Sequence, residues 1–507
     1  MSSPSIQEPG GLSKPVKIVA ALVTILVIHW AFRAIYRLYF HPLARFPGPK
    51  LHAATRIPQH IGTWNGETHK RIARIHEQYG PVVRIAPDEL SFIDAQAWKD
   101  VYGHGTKGTR GSAPHKAWER YSSSLDESSA SLVTAHDADH ARMRRIFTPA
   151  FSDRALKEQE PLFMKYVTLL VELLRTGTTK DAEQKFDMVK LYNFTTFDIM
   201  GDLAFGESLH MLKKAEYAPW VSIIISMVKT GARMSLMSHY PLVMSLFKAL
   251  MPESAMKKRA EHHEYARERV EKRLDKGRSG EGVDLWDLVL RQSEEKGLSR
   301  PEMDANARLF MVAGSETTAT LLSGLTYHLL ANTDTMAKLT KEIRETFSGL
   351  EEMSIESIAQ LPYLNACIKE GLRLNPPIAL ALPRKTPPEG STICGSYVPP
   401  GWYVGIPQCV MFRSETNFKD ALSFVPERWL GDERYDGDQK ACLQPFSVGS
   451  RDCIGRNMAY HEVRLIMTKI LYEFDLEICP ESENWDDQKI YMLWEKKPLM
   501  CTMKPVN

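Results

Sequence analysis

Phe446-Ser447-Val448-Gly449-Ser450-Arg451-Asp452-Cys453-Ile454-Gly455 is the stretch on which the reading of this chain turns. It fits F-x-x-G-x-R-x-C-x-G at every fixed position. At average composition those five residues fall in register on the order of once in ten thousand chains of this length. Each has a physical task. Cys453 offers a thiolate, a soft ligand able to hold haem iron. Gly449 and Gly455 let the backbone turn tightly and approach a flat macrocycle. Arg451 carries a permanent charge suited to a carboxylate such as a haem propionate. The residues after Gly455 read as a helix, whose first N–H groups would favour an anionic sulfur. A cysteine buried on an ordinary turn would need none of the other four.

Two further segments precede this loop in a set order. Glu370-Gly371-Leu372-Arg373 reads E-x-x-R, and Phe424-Val425-Pro426-Glu427-Arg428-Trp429 reads as a P-E-R-W segment. On a helix, Glu370 and Arg373 share one face, where a carboxylate–guanidinium pair can form. In this order the three segments resemble the cytochrome P450 family of haem-thiolate monooxygenases, and further motifs extend the resemblance over nearly the whole chain. It implies a mainly α fold, one large helical domain with a small β-rich region, and haem b with Cys453 as its axial thiolate and only metal ligand. It also implies that Arg428 closes the Glu370–Arg373 pair into a triad. Phe446 and Gly449 would lie in the cofactor loop. His140 and Arg144, in Asp139-His140-Ala141-Arg142-Met143-Arg144-Arg145, resemble the family's propionate-binding helix. Arg384, in Leu382-Pro383-Arg384, resembles its propionate strand.

Size and charge narrow the classes. The chain has 507 residues, 64 basic and 62 acidic, for a net charge of +2, so nucleic acid is not an expected partner. The most basic run, Lys257 to Arg278, interleaves glutamates and reads as a solvated helix. Cys367, Cys394, Cys409, Cys442, Cys453, Cys479 and Cys501 are odd in number and crowd the C-terminal third. That pattern argues against a secreted disulfide framework and for a reducing compartment. The sequon at Asn193 lies in an apolar helical stretch.

The N-terminus carries a membrane signal. Ile18 to Phe32 is an uncharged run that covers roughly 22 Å as a helix. Continuing to Phe40 brings it near the ~30 Å of a hydrocarbon core, with Arg33 and Arg37 reaching back to the interface. A signal peptide is the rival reading, but no small-residue cleavage site follows. Pro42, Pro47 and Pro49 then make a stiff elbow. The expected layout is a lumenal N-terminus (1–17), a single transmembrane anchor (18–40), an elbow (41–50) and a haem-thiolate catalytic domain (51–507). Arg33, Arg37, Arg45 and Lys50 outnumber Lys14 and Lys17, so the catalytic domain should be cytosolic. The elbow resembles those of endoplasmic-reticulum enzymes of filamentous fungi.

Within the body, Pro81 to Ile93 predicts a hairpin and Thr392 to Ile406 a second strand-rich patch. Ser299-Arg300-Pro301-Glu302 is a capping box, starting a long helix that should reach Asn332. It contains Ala313-Gly314-Ser315-Glu316-Thr317-Thr318, which matches the family's [AG]-G-x-[DE]-T-[TS]. Such a cluster can open a backbone hydrogen bond and leave a groove in the helix face. A close helix contact through small residues is the other reading. The resemblance implies that Thr317 and Glu316 form the oxygen-activating hydroxyl–acid pair. A substrate pocket would lie under Gly103–Ala135, Pro219–Leu250, Ile378–Leu382 and Tyr491–Trp494. Met227, Met234, Met237 and Met244 would adapt to a lipophilic ligand.

The family resemblance, strongest to the isotrichodermin 15-hydroxylase-like group of fungal secondary metabolism, implies an oxidoreductase. It would hydroxylate or epoxidise a terpenoid, polyketide or alkaloid intermediate with O2. Electrons would come from NADPH–cytochrome P450 reductase, with cytochrome b5 as a second candidate donor, docking where Arg142, Arg145 and Arg456 present positive charge. A haem-thiolate isomerase or dehydratase that does not use O2, and a non-enzymatic haem-binding membrane protein, are the alternatives. An intact Glu316–Thr317 pair argues against both.

Overall fold

The computed structural model describes residues 13–104, 113–121, 130–237, 239–250, 267–277, 284–289 and 297–506. Half of the basic run from Lys257 to Arg278, and parts of Gly103–Ala135, lie outside them. So does the side chain of Met227.

The long helix forms as its start signal predicts. Ser299 caps Arg300–Ala331, accepting from the Glu302 amide, while the Glu302 carboxylate accepts from the Ser299 amide at 2.8 Å. From Thr318 to Leu330 it is buried all round, as expected of a core helix rather than an amphipathic one. Met188–Phe205, equally buried, packs along it and holds Asn193 inside the protein, so the sequon faces no solvent. Pro362–Leu374, carrying Glu370 and Arg373, and Arg456–Glu473, which follows the cysteine loop, complete this helical core.

The predicted hairpin is Val82–Ala86 against Glu89–Phe92. It belongs to a five-stranded sheet that continues through Tyr403–Gly405 and Arg384–Lys385 to His115–Lys116. Register places Lys116 directly opposite Arg384. Like charges across a strand pair are unfavourable unless an anion lies between them. The strand-rich patch divides: Ser391–Ile393 and Ser396–Val398 form their own hairpin. Near the C-terminus, Lys489–Ile490 pairs with Trp494–Glu495, and Met500–Pro505 lies between Phe186–Asp187 and Phe474–Ile478.

The N-terminal helix runs Lys14–Ile35 and continues as a π-turn over Tyr36–Phe40, with no buried residue in either. It begins four residues before the expected Ile18, so Lys14 and Lys17 belong to the helix. The span Lys14–Phe40 is long and apolar enough to cross a membrane. Arg37 departs from expectation. Its guanidinium donates to the Ala54 carbonyl at 2.8 Å, and Arg84 donates to the Arg37 carbonyl at 2.8 Å. The elbow is thus held to the body, with Leu43 fully buried and His41 against Trp402 at 4.4 Å.

Candidate functional site

The cysteine loop is shaped by its own backbone. The Cys453 amide donates to the Phe446 carbonyl at 2.9 Å. Gly449 sits at φ +84°, where a Cβ would meet the Tyr102 carbonyl oxygen at 2.0 Å. Its glycine is required by that close backbone approach as well as by the turn. Gly455 has an ordinary φ and ends the loop as the residue before Arg456–Glu473. Of the seven cysteines, Cys453 alone is exposed. Protein packed around it nevertheless pushes its thiol upward, chiefly by desolvation, while the Gly455 amide pulls the other way. The residue is thus exposed, yet its thiol is closely surrounded by protein. The half-buried Phe446 ring packs on Tyr460 at 5.3 Å.

Beside this loop the fold gathers basic side chains. Arg451, His140, Arg144, Arg384 and Lys116 come from four separate stretches of chain. Desolvation, then Arg451, Arg144 and Lys116, push His140 down to about 4. Lys116 falls to about 7 through burial, then through Arg451 and Arg384. Arg384 is also lowered by burial. The nearby acids are already committed. Asp137 accepts from Arg451 at 2.8 Å, and Asp452 pairs with Arg144, whose guanidinium also donates to the Asp452 carbonyl at 2.7 Å. Arg451 Nη1 and Arg384 Nε are buried without a hydrogen-bond partner. Buried guanidinium N–H groups without an acceptor are costly, and they mark a place for acidic arms. Aromatic faces hold the cations in position: Tyr121 lies 3.8 Å from Lys116 Nζ, Trp118 4.8 Å from Arg451 and Tyr102 5.2 Å from Arg384.

The central helix presents its oxygen motif differently from expectation. It is a continuous α-helix through Ala313–Thr318, with no opened turn. A Cβ on Gly314 would meet Met200 Sδ at 2.6 Å, so this glycine serves close packing against Met188–Phe205. Ala313 and Thr317 share the accessible face, and the Thr317 hydroxyl donates to the Ala313 carbonyl at 2.6 Å. Glu316 does not stand between solvent and a groove. It is buried, and Lys496 donates to its Oε1 at 2.6 Å.

The predicted triad is present and larger than expected. Glu370 accepts from Arg373 at 2.8 Å, Arg428 at 3.0 Å, the Val425 amide at 2.9 Å and Trp429 Nε1 at 2.9 Å. Arg428 also pairs with Asp438, so two carboxylates balance two guanidinium groups. Arg142 is only partly exposed, and its charge is paired with Glu302 and Asp139. Arg145 and Arg456 are exposed.

An exposed, closely surrounded thiol next to buried guanidinium N–H groups that lack an acceptor suits a metallated macrocycle with acidic side arms, and the class so defined is the haem-thiolate proteins. The chain belongs to the cytochrome P450 family, whose model matches residues 47–503. It is 45% identical over 489 residues to the cytochrome P450 monooxygenase efuB of Hormonema carpetanum, covering 96% of each chain. It is 46% identical over 467 residues to the cytochrome P450 monooxygenase FUM2 of Gibberella moniliformis, 92% of this chain and 98% of that one. A third relative, astJ of Aspergillus oryzae, is 39% identical over 500 residues, 98% of this chain and 99% of that protein. The protein is a cytochrome P450 monooxygenase.

Sequence reasoning missed Lys116, Asp438 and Lys496. None stands in a motif. Each joins its site through strand register or chain reversal, and no local pattern reports that.

Proposed function

We propose that the protein is a membrane-anchored monooxygenase that hydroxylates or epoxidises a lipophilic intermediate of fungal secondary metabolism, of terpenoid, polyketide or alkaloid class. The observation that carries this reading is the single exposed cysteine beside buried guanidinium N–H groups, Arg451 Nη1 and Arg384 Nε, that have no acceptor. Haem b held by Cys453 would supply dioxygen activation and insertion of one oxygen atom, with the other reduced to water. Arg451, Arg384, His140, Arg144 and Lys116 would hold its propionates, and Phe446 and Gly449 would shape the loop beneath it. NADPH–cytochrome P450 reductase, with cytochrome b5 as a further donor, would dock near the exposed Arg145 and Arg456. Met234 and Met237, half-buried, and the apolar Ile378–Leu382 segment support a lipophilic substrate.

Thr317 holds a proton at its hydroxyl on the accessible face of the central helix, and Glu316 supplies replacements. Thr317→Ala is expected to keep haem and substrate binding while hydrogen peroxide replaces much of the oxygenated product. Glu316→Gln should slow turnover with a smaller leak. Product formed per NADPH consumed, with the reductase present, measures both. If Thr317→Ala couples as well as the parent, this hydroxyl is not on the proton path.

The anchor is proposed to cross the endoplasmic-reticulum membrane once, with the catalytic domain cytosolic. Leu242, Leu246, Leu51, Ile57 and Trp64 are exposed near the His60–Tyr240 contact, an apolar surface suited to the same bilayer. Deleting residues through Ile35 is expected to release much of the protein from membranes with haem retained. Deletion through Tyr39 also removes the Arg37 links to Ala54 and Arg84, so its thermal midpoint should be lower. Equal midpoints for the two truncations would show that these links add nothing.

A further inference from the structure

We propose that Asn306 is a positioning residue that fixes the wall ending the accessible face of the central helix, an inference that rests on the haem reading above. By doing so it limits the size of ligand admitted beside Ala313 and Thr317. Asn306, Ala313 and Thr317 are spaced by seven and then four residues, so they lie along one face of Arg300–Ala331, Asn306 about 10 Å before Ala313. Exposure changes along that face. Asn306 and Phe310 are buried, whereas Ala313 is exposed and Thr317 half-buried. The turn Ser131–Ala135 is seated on the buried end, where the Leu132 amide donates to Asn306 Oδ1 at 2.9 Å.

The turn is a closed unit. The Ala135 amide donates to the Ser131 carbonyl at 2.7 Å, and the Ser131 amide donates to Thr134 Oγ1 at 2.9 Å. Such a unit moves as one piece, so its outside contacts decide where it sits. Among the described residues, three side chains from other elements hold it. Lys116 donates to the Val133 carbonyl, Arg451 Nη2 donates to the Ala135 carbonyl at 2.9 Å, and Asn306 accepts from Leu132. Lys116 and Arg451 are assigned above to the propionates and would divide their donors between cofactor and turn. Asn306 is the anchor of the three with no share in the cofactor. Its Nδ2 donates to the Glu302 carbonyl at 2.8 Å and lies 3.7 Å from Met143 Sδ. With an N–H on one side and a C=O on the other, one orientation of the side-chain amide satisfies both. The turn is thereby set at a fixed depth, with Leu132 buried in the core that includes Met143 and Phe310.

The test uses the full-length, haem-loaded protein, with imidazole and phenylimidazole as probes of one chemistry and different length. Asn306→Leu keeps the bulk of the side chain and removes both its acceptor and its donors. A buried N–H left without an acceptor is costly, so the turn should open until water reaches the Leu132 amide. Deuterium exchange at that amide should quicken about tenfold, the factor that loss of ~1.4 kcal/mol of net hydrogen bonding gives. Exchange within Met188–Phe205 should stay as in the parent. Both azoles shift the Soret absorbance when they ligate ferric haem. In Asn306→Leu the association rate of phenylimidazole should rise several-fold relative to that of imidazole, with the reduced carbon-monoxide band in place. A residue that merely supports folding would leave that ratio unchanged. If Asn306→Leu accumulates too little haem-loaded protein, Asn306→Ala carries the same readings. Unaltered exchange at Leu132, or equal acceleration of the two azoles, would overturn the proposal. A parent that shows no azole shift would remove the haem reading and the proposal together, whereas a shifting parent with an unchanged ratio in the variant removes the proposal alone.

Discussion

Cys453→Ser is expected to abolish the thiolate-shifted band in the reduced carbon-monoxide spectrum and, with it, all oxygenation. A serine hydroxyl stays protonated near neutral pH and cannot donate electron density to iron as a thiolate does. The substitution alters one atom at an accessible side chain whose amide still bonds the Phe446 carbonyl, so the loop should keep its shape. Haem content and absorbance of the purified variant separate loss of the ligand from loss of the fold. Burial pushes Cys409 and Cys442 up to about 12 and holds them as thiols, so neither can substitute. A retained thiolate band in Cys453→Ser would sink the ligand assignment.

Glu370→Gln should have the largest effect on folding. Glu370, Arg373 and Arg428 are fully buried, and Asp438 compensates only Arg428. Removing the Glu370 charge leaves Arg373 bonded to the Phe412, Ala421 and Ser423 carbonyls but without an anion. Breaking a buried pair from one side costs about 3–5 kcal/mol, a large part of the ~5–15 kcal/mol that keeps a domain folded. Unfolding of a chain this large is commonly irreversible, so the measure is the yield of soluble, haem-loaded protein and its half-life on warming. A variant that accumulates and loads haem like the parent would show that carbonyl contacts alone hold Arg373. The expected loss exceeds that for Asp438→Asn, because Arg428 would still have Glu370.

The arrangement of the cysteine loop, the Ser299 capping box and the Glu370–Arg373–Arg428 set was legible because each rests on short-range chemistry. A cap needs residues three apart, a helical ion pair needs the same spacing, and the loop's glycine and cysteine lie within one decapeptide. The hairpin Val82–Phe92 was legible for the same reason, through alternation and a turn between its strands. What failed was the inference from local composition to local shape. Gly314 suggested an opened helix, yet Met200, more than a hundred residues away in sequence, is what requires a glycine there. Arg37 read as a cation at the membrane interface and Arg142 as one on the docking surface, whereas the fold brings Ala54 and Glu302 against them.

The sequence by itself determined which groups are candidates for chemistry: a thiol, a hydroxyl beside an acid, and arginines fit for carboxylates. The tertiary structure alone decided their states. It set Lys116 opposite Arg384 by strand register, made Cys453 the one accessible thiol, and closed Glu316 against Lys496 across 180 residues of chain. The physical reason is that charge and proton affinity depend on burial and on partners within a few ångströms, and those partners are assembled by packing rather than by adjacency.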